Sequence, residues 1–540
     1  MAAAVHHRVP VRHADVPQAF LQAQNNRPIY IDLPKGIGVK SHILEAFREQ
    51  HPRGKACFRL IKSLYGLASA PMIFSKALSQ FLIGLGMSRA RVDSTLFSWQ
   101  DPVSKKWTVV TTFVDDLLIT GTDEAFETNL RERLIERFGE GLTWADNVKS
   151  FLGLRITRND DLSELKIDAQ FKIEQLLTEL DLDSFGPFRG SIAPYGLEFN
   201  DIRLSQGKVL SNRQTHILKH FSHIVGVLIY ISICCRPDIT TVLNRCCQGT
   251  TNPQRHHVVW LERLLMYLRS HSDIGLVYRS HQSDLETLIT KPLSQHYTEL
   301  KGLHEQPIVC FSDANFADAA DDKLRSTSGF CIYLFGCLIA WSSKRQSITA
   351  RSTLEAELIA AASASDECVW IFHFAQTAPF LFGYTSANQV RPVPLLVDNE
   401  PALSTANHPK ITAQTKHIRL REFRIRDAIG DDHAPPRIRC LWCPTKFNVA
   451  DHFTKLLPQR EFSRLARFVV NIPPAEIHLA TKMPKQPGEF PKHGTSPQQY
   501  YLDVVGHNRP LNLALALIDE NIFSFYDIST PLSDSTSPTS

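Results

Sequence analysis

Two runs of β-branched and aromatic residues meet at an acidic pair. Trp107-Thr-Val-Val-Thr-Thr-Phe113-Val114 leads into Asp115-Asp116, and Leu117-Leu-Ile-Thr-Gly121 follows. That pattern predicts two strands joined by a tight turn, with two carboxylates at the tip of an apolar hairpin. Helical spacing appears before it: Phe74, Leu78, Phe81, Leu82 and Leu85 recur three and four apart. Pro71 suits the start of that helix, and Gly84 and Gly86 suit its end. A short β-rich run at Phe58–Leu60 leads to a turn at Tyr65-Gly66. A charged helix is expected near Glu124–Phe138 and a strand over 151–156. Phe221 to Ser232 predicts a buried helix, Pro253 to Arg269 a second, and residues 279–305 read as a linker.

From residue 306 strands run into acids. Ile308-Val-Cys-Phe-Ser-Asp313 is one, and Pro394-Leu-Leu-Val-Asp398 is another. Ser326–Phe335 and Cys337–Lys344 predict a hairpin between them. Ser352 and Glu355 form a capping-box pattern opening a long helix, which gives Glu355 a structural task and leaves Glu357 for chemistry. Asp451 is a last acid entering a helix. After a helical remnant at Glu461–Val470 the chain turns rich in Pro, Lys, Gln and Gly and ends in a Ser/Thr/Pro tail, which predicts disorder with one or two weak elements.

Composition adds bounds. At 540 residues, three or four domains are expected, and 43% hydrophobic with 21% charged residues is ordinary for globular protein. A net charge of +4 neither demands nor excludes nucleic acid. Eleven cysteines at irregular spacing argue for reduced intracellular thiols, and Cys440-x-x-Cys443, with no second pair, reads as structural. The N-terminus lacks the apolar core of a signal peptide, and Ile224 to Cys235 is too short to span a bilayer, so no membrane is expected.

Hard carboxylate oxygens suit Mg²⁺, and two metals about 3.5–4 Å apart can clamp the attacking and leaving oxygens of a phosphoryl transfer. The same dipeptide also makes ordinary turns: Asp160-Asp161, Asp321-Asp322 and Asp431-Asp432 sit among loop residues. Only Asp115-Asp116 is flanked by apolar strand on both sides. Downstream, Asp313, Glu357, Asp398 and Asp451 each lie near an element terminus, which is what a two-metal nuclease needs, although each alone reads as a cap or surface acid. The basic stretch Lys416 to Arg426 is either a solvated helix face or a contact to nucleic-acid backbone.

Taken in order, several signatures resemble the reverse transcriptase of copia-type long-terminal-repeat retrotransposons. They are Ala14-Asp15-Val16-x-x-Ala19-Phe20-Leu21, Ser63-Leu64-Tyr65-Gly66-Leu67-x-x-Ala70-Pro71, Asp93-x-x-Leu96-Phe97, Phe113-Val114-Asp115-Asp116 and Phe151-Leu-Gly-Leu. A second set resembles the RNase H region of the same Pol polyproteins: Ser312-Asp313-Ala314, Arg325-Ser-Thr-Ser-Gly329-Phe330, Trp341-Ser-Ser-Lys344, Glu355-Ala-Glu357, Asp398-Asn399 and Asn448-x-Ala450-Asp451. The resemblance implies an α+β and α/β multidomain chain. A reverse-transcriptase palm would cover residues 1–180, a thumb or connection region 181–300, an RNase H-like domain 301–460 and a mostly disordered tail 461–540. Asp15, Asp115 and Asp116 would be the palm carboxylates. Phe20 would stand under the incoming sugar and exclude a 2′-OH, with Tyr65 and Gly66 lining the nucleotide pocket. Asp313, Glu357, Asp398 and Asp451 would be the RNase H quartet. Each site would take two Mg²⁺, with Mn²⁺ as an alternative. Implied partners are an RNA template, an RNA–DNA hybrid and dNTPs. The implied setting is intracellular, in a cytoplasmic virus-like particle or the nucleus.

The match departs in places. Only fourteen residues precede Asp15, where the family has a fingers region that grips template and triphosphate. Phe113 replaces the usual Tyr, and the Ser-Thr-Leu-Glu-Ala-Glu-Leu stretch varies the nuclease motif while sparing both acids. Two readings follow: a polymerase with RNase H, or a nucleic-acid-binding remnant without polymerase activity.

Overall fold

The computed structural model describes residues 1–25, 29–32, 45, 57–191, 193–195, 209–280, 283–317, 324–407, 419–431 and 433–470. They divide into two compact units, Val9–Val148 on one hand and Met1–Arg8 with the chain from Lys149 onward on the other. The predicted tail beyond Val470, Asp321-Asp322 and Asp432 lie outside the described residues.

Among its described residues the Val9–Val148 unit holds eight strands: β1 (Val11–Asp15), β2 (Tyr30–Asp32), β3 (Cys57–Arg59), β4 (Ser88–Arg89), β5 (Leu96–Gln100), β6 (Trp107–Phe113), β7 (Asp116–Gly121) and β8 (Thr143–Ala145). β2 pairs with β3, and the others form an antiparallel sheet in the order β4-β5-β6-β7-β1-β8. The expected hairpin is β6–β7. Its ladder closes at Phe113 opposite Asp116, leaving Val114 and Asp115 as a two-residue loop. Helices Ala70–Gly84 and Glu124–Phe138 cover the sheet, burying Phe74, Leu78, Leu82, Leu130, Leu134 and Phe138 with Val110, Leu117 and Ile119. Each such side chain contributes about 1.5–3 kcal/mol by leaving water. The first helix has Pro71 in its first turn, and Asp123 caps the second by accepting the Phe126 N–H at 3.0 Å.

In the larger unit, β9 (Ser150–Phe151), β10 (Leu154–Arg158), β11 (Glu164–Asp168) and β12 (Gly275–Arg279) make an antiparallel sheet in the order β12-β11-β10-β9. The single strand expected over 151–156 is instead the β9–β10 hairpin. Leu152 at φ 50° and Gly153 at φ 72° break it, both in the left-handed region that turns a chain sharply. Asp160 and Asp161 are exposed, and the Asp161 carboxylate accepts the Ser163 hydroxyl, so this acidic pair is indeed a solvated loop.

Among the described residues five α-helices lie between β11 and β12: Gln170–Leu180, Asn212–Lys219, Phe221–Cys234, Thr240–Cys247 and Arg255–Ser270. Among them Arg236 is fully buried. Its guanidinium donates to Asp238 at 2.8 and 2.9 Å and to the His271 carbonyl at 2.7 Å, and Tyr267 donates its hydroxyl to Asp238 at 2.7 Å. A buried charge with that many partners is structural. Arg269 likewise bonds Asp183. The expected linker over 279–305 also folds, as a π-helical turn (Glu286–Thr290), a helix (Lys291–His296) and two short turns. Leu285, Ile289 and Leu293, four apart, are buried along it. Among the described residues no single helix is long and apolar enough to cross a membrane.

The remaining strands are β13 (Ile308–Asn315), β14 (Thr327–Leu334), β15 (Cys337–Arg345), β16 (Val393–Val397) and β17 (Ile438–Trp442). They form one mixed sheet in the order β15-β14-β13-β16-β17, antiparallel up to β13 and parallel beyond it. β13 therefore sits at the centre, fully buried until its last residue. The long helix Thr353–Thr377 packs on this sheet through Ala356, Ala360 and Ala364, whose small side chains permit close approach. Ser352 accepts the Glu355 N–H as expected, while Glu355 takes the Arg351 N–H rather than closing the box on Ser352. None of the ten cysteines whose side chains are described, Cys440 and Cys443 among them, forms a disulfide.

Candidate active sites

In the Val9–Val148 unit the register brings distant acids together. Asp15, the last residue of β1, lies directly opposite Asp116, the first of β7. Facing residues of an antiparallel pair hold their Cβ atoms about 4.5–5.5 Å apart on one face. Asp115 stands in the adjoining loop, and its carbonyl accepts the Val16 N–H at 2.9 Å. Burial raises the Asp15 carboxyl above its ordinary pKa, and the charges of Asp115 and Asp116 add to the effect while His13 opposes it. His13 Nε2 lies 2.6 Å from Asp116 Oδ1. The loop is strained: Val114 has φ 55° at a position where glycine or asparagine is preferred. Phe20 and Tyr65 meet with ring centroids 4.7 Å apart, and Gly66 turns the chain at φ 93°. Phe20 packs on the core while Tyr65 is 55% exposed, so the pair presents one aromatic face outward.

The five-stranded sheet builds a second acidic site. Asp313 comes from β13, Asp398 follows β16, and Asp451 lies in a 3-10 turn, Val449–Phe453, rather than entering a helix directly. One carboxylate oxygen from each of these three falls within 4.8 Å of the others. Glu357, one turn into the long helix, joins them. It accepts the Ala314 N–H, and its Oε2 is buried with no hydrogen-bond partner. Burial and the charges of Asp313 and Asp398 push Glu357 up to about 9. Burial and Asp313 push Asp451 up to about 7, and burial with Asp313 raises Asp398. Like charges crowded out of water favour protonation unless a cation replaces the protons.

Neighbouring residues hold this cluster. Asn448, fully buried, donates to the Ser312 carbonyl at 3.0 Å and to Asp398, and accepts the Ala450 N–H at 3.1 Å. Thr454 donates its hydroxyl to Asp313 Oδ2. The ammonium of Lys455 lies 2.5 Å from Asp451 Oδ1 and 3.3 Å from Asp313 Oδ2. Gly329 pairs with Asp313 across β13–β14, and a Cβ there would meet Phe453 and Thr454 at 2.6–3.1 Å. Only a glycine lets the Asp451 turn lie this close to the sheet. None of these positioning roles was read from the sequence. The i,i+4 spacing of Asp451 and Lys455 was the available signal for one of them.

A divalent metal fits this donor set. Three converging carboxylates and an unpartnered buried Glu357 oxygen offer hard, acceptor-only ligands of the kind Mg²⁺ takes. In the basic stretch, two arginines already have partners within the chain, Arg424 while exposed and Arg426 half-buried. Arg424 bonds Asp366 at 2.6 Å and Arg426 donates to the Thr405 carbonyl at 2.8 Å, while residues 416–418 lie outside the described residues.

Residues 1–187 match the family described as reverse transcriptase (RNA-dependent DNA polymerase). The chain is similar to retrotransposon Pol polyproteins. It is 28% identical over 477 residues to the retrovirus-related Pol polyprotein from transposon RE1 of Arabidopsis thaliana, covering 88% of this chain and 28% of that polyprotein. With the polyprotein from transposon TNT 1-94 of Nicotiana tabacum it shares 25% identity over 464 residues, or 84% of this chain and 30% of the relative. The chain thus spans less than a third of either Pol polyprotein's length. Among solved structures it is similar to the foamy viral protease-reverse transcriptase in complex with RNA/DNA hybrid, at 11% identity and a TM-score of 0.38, covering 82% of this chain and 46% of that one. RNase H1 from Halobacterium salinarum is similar at 15% identity and a TM-score of 0.19, over 27% of this chain and 93% of that one. Those two likenesses are too distant to bear on the sites.

Proposed function

We propose that the five-stranded sheet of this Pol relative carries an RNase H site that cleaves the RNA strand of an RNA–DNA hybrid. The observation that carries this reading is the convergence of Asp313, Asp398 and Asp451, with the unpartnered Glu357 oxygen beside them. Two bound Mg²⁺, or Mn²⁺, would supply activation of water and stabilisation of charge on the leaving oxygen. Asp313, Glu357, Asp398 and Asp451 would hold the cations. Asn448 and Thr454 fix two of those carboxylates, so the ligands are placed before substrate arrives. Water attacks phosphorus, the bond to the 3′-oxygen breaks, and the products carry 3′-OH and 5′-phosphate ends.

On the same reading the Val9–Val148 unit is the palm of an RNA-directed DNA polymerase of copia type. Asp15, Asp115 and Asp116 would hold its two metals, which lower the pKa of a primer 3′-OH and offset charge on leaving pyrophosphate. Phe20, backed by Tyr65 beside Gly66, would meet the sugar of a dNTP. Its partners would be an RNA template and the resulting hybrid, inside the cell in a virus-like particle or the nucleus. The test of the nuclease is direct. Cleavage of labelled RNA in a hybrid should require Mg²⁺ and disappear in Asp398→Asn, which keeps the shape of the side chain. Cleavage that survives this change in protein freed of contaminating nuclease would refute the assignment.

A further inference from the structure

Carboxylates crowded into a buried cluster repel one another, and this chain carries a positive charge within the site. Lys455 follows Asp451 by four residues, and its ammonium lies 2.5 Å from Asp451 Oδ1, 3.3 Å from Asp313 Oδ2 and 3.4 Å from Asp313 Oδ1. It thus reaches oxygens from two of the three carboxylates that converge as a cation site. The Thr454 hydroxyl, next to it in sequence, bonds the same Asp313 oxygen.

We propose that Lys455 is a built-in counter-cation at the nuclease site: it holds the carboxylates together in the metal-free protein and is displaced when a divalent metal binds. The inference rests on the metal-binding reading above and adds a regulator of affinity to it. Mg²⁺ binds carboxylate oxygen at about 2.0–2.1 Å and an ammonium at hydrogen-bond distance. Both therefore compete for the same Asp451 and Asp313 oxygens, and two cations a few ångströms apart repel strongly in a partly dry site. The lysine has somewhere to go. Its side chain is 34% exposed, on a flexible four-carbon stem. The competition makes the site selective for a doubly charged ion that outbids one ammonium.

The test uses the full chain carrying Asp15→Asn and Asp116→Asn, which takes the palm acids out of the titration and serves as the wild-type reference, with MgCl₂ titrated by isothermal calorimetry at fixed pH and ionic strength, and with melting temperatures recorded in EDTA and in Mg²⁺. Lys455→Met keeps the length and removes the charge. It should melt lower than wild type in EDTA, gain more from Mg²⁺, and bind Mg²⁺ about tenfold or more tightly. Lys455→Arg should keep the weaker binding. Lys455→Gln, whose amide still donates to one carboxylate, gives the same readout if Met is not tolerated. Unchanged or weaker Mg²⁺ binding in Lys455→Met and Lys455→Gln would overturn the proposal. Asp398→Asn separates the two ideas. If wild type binds Mg²⁺ and Asp398→Asn does not, while the lysine variants bind like wild type, the counter-cation role alone fails. If wild type, the lysine variants and Asp398→Asn all fail to bind, the metal reading fails and the proposal with it.

Discussion

The hydroxyl of Thr241 donates to the backbone carbonyl of His452 at 2.7 Å, one residue beyond Asp451. Thr241 begins in the helical segment between β11 and β12, far outside the five-stranded sheet in sequence. The imidazole of His452 is held in turn by the backbone of Asp238, which the buried Arg236 fixes. The turn that presents Asp451 is therefore braced from the helices as well as from the strands. Thr241→Val keeps the shape and removes the donor, leaving a buried carbonyl short of a partner. That should cost about 1–3 kcal/mol in urea unfolding. It should also weaken Mg²⁺ binding, because the Asp451 turn loosens. Unchanged affinity together with lowered stability would show that the brace does not reach the site.

Gly329 is the second support. It faces Asp313 across the ladder, and the Thr454 methyl with the Phe453 Cβ and carbonyl carbon lie against it. Gly329→Ala inserts a methyl where the nearest atoms would be 2.6–3.1 Å away, and part of that obstacle is backbone. The turn must move off the sheet, carrying Asp451 and Lys455 away from Asp313. Overpacking of this kind costs about 1–3 kcal/mol, and a ligand misplaced by about 1 Å lowers a reaction roughly a hundredfold. Hybrid cleavage measured at saturating Mg²⁺ should fall by that order with the circular dichroism spectrum intact. Wild-type cleavage by the alanine variant would show that the close approach is not required.

Periodicity made much of this fold legible and left the supports hidden. The β6–β7 hairpin followed from a β-branched run on each side of Asp115-Asp116. The Ala70–Gly84 helix followed from Phe74, Leu78 and Leu82 with Pro71 ahead of them. Asp313 and Asp398 stood out because each ends a run of strand residues. Their convergence with Asp451 is a property of strand order, and no local spacing encodes that β13 lies beside β16. It was the resemblance that joined them, as it joined Asp15 to Asp116. The segment 279–305 was misread because polar residues between Leu285, Ile289 and Leu293 masked a four-residue period. Asn448, Thr454 and Lys455 act by reaching across to other strands, which a reading along one chain segment does not show.

Val114 offers a test of strain at the other site. An L-residue in the left-handed region costs about 1–2 kcal/mol, and a β-branched one has least tolerance for it. Glycine escapes that cost but loses about 0.5–1 kcal/mol of unfolded-state advantage. Val114→Gly should therefore stabilise the Val9–Val148 unit by about 1 kcal/mol or slightly less in urea unfolding. Val114→Ala should gain less, since alanine still has a Cβ and keeps most of the backbone cost. Equal stability of the glycine and valine forms would mean that the Val114 side chain offsets the strain by its packing.

The raised carboxyl of Glu357 gives the metal-free protein a characteristic pH response. Burial beside Asp313 and Asp398 takes it to about 9, from an ordinary value near 4.5. Between these values the folded state keeps a proton that the unfolded state has released. Unfolding then releases a proton, so stability is full below about pH 4.5 and declines as pH rises through 9. Asp451, raised to about 7, acts in the same direction over a narrower range. The Met1 amino group, lowered to about 5 by burial, has the opposite slope up to its ordinary value of 8.0. Comparison with Glu357→Gln cancels that group and isolates the glutamate. In EDTA between about pH 6.5 and 8, wild-type stability should fall relative to the glutamine variant by up to about 1.4 kcal/mol per pH unit. Added Mg²⁺ should flatten the difference, since a cation takes the place of the retained proton. Urea unfolding at three pH values, with and without Mg²⁺, measures it. Parallel curves for the two proteins in EDTA would show that Glu357 is ionised in the folded state without metal.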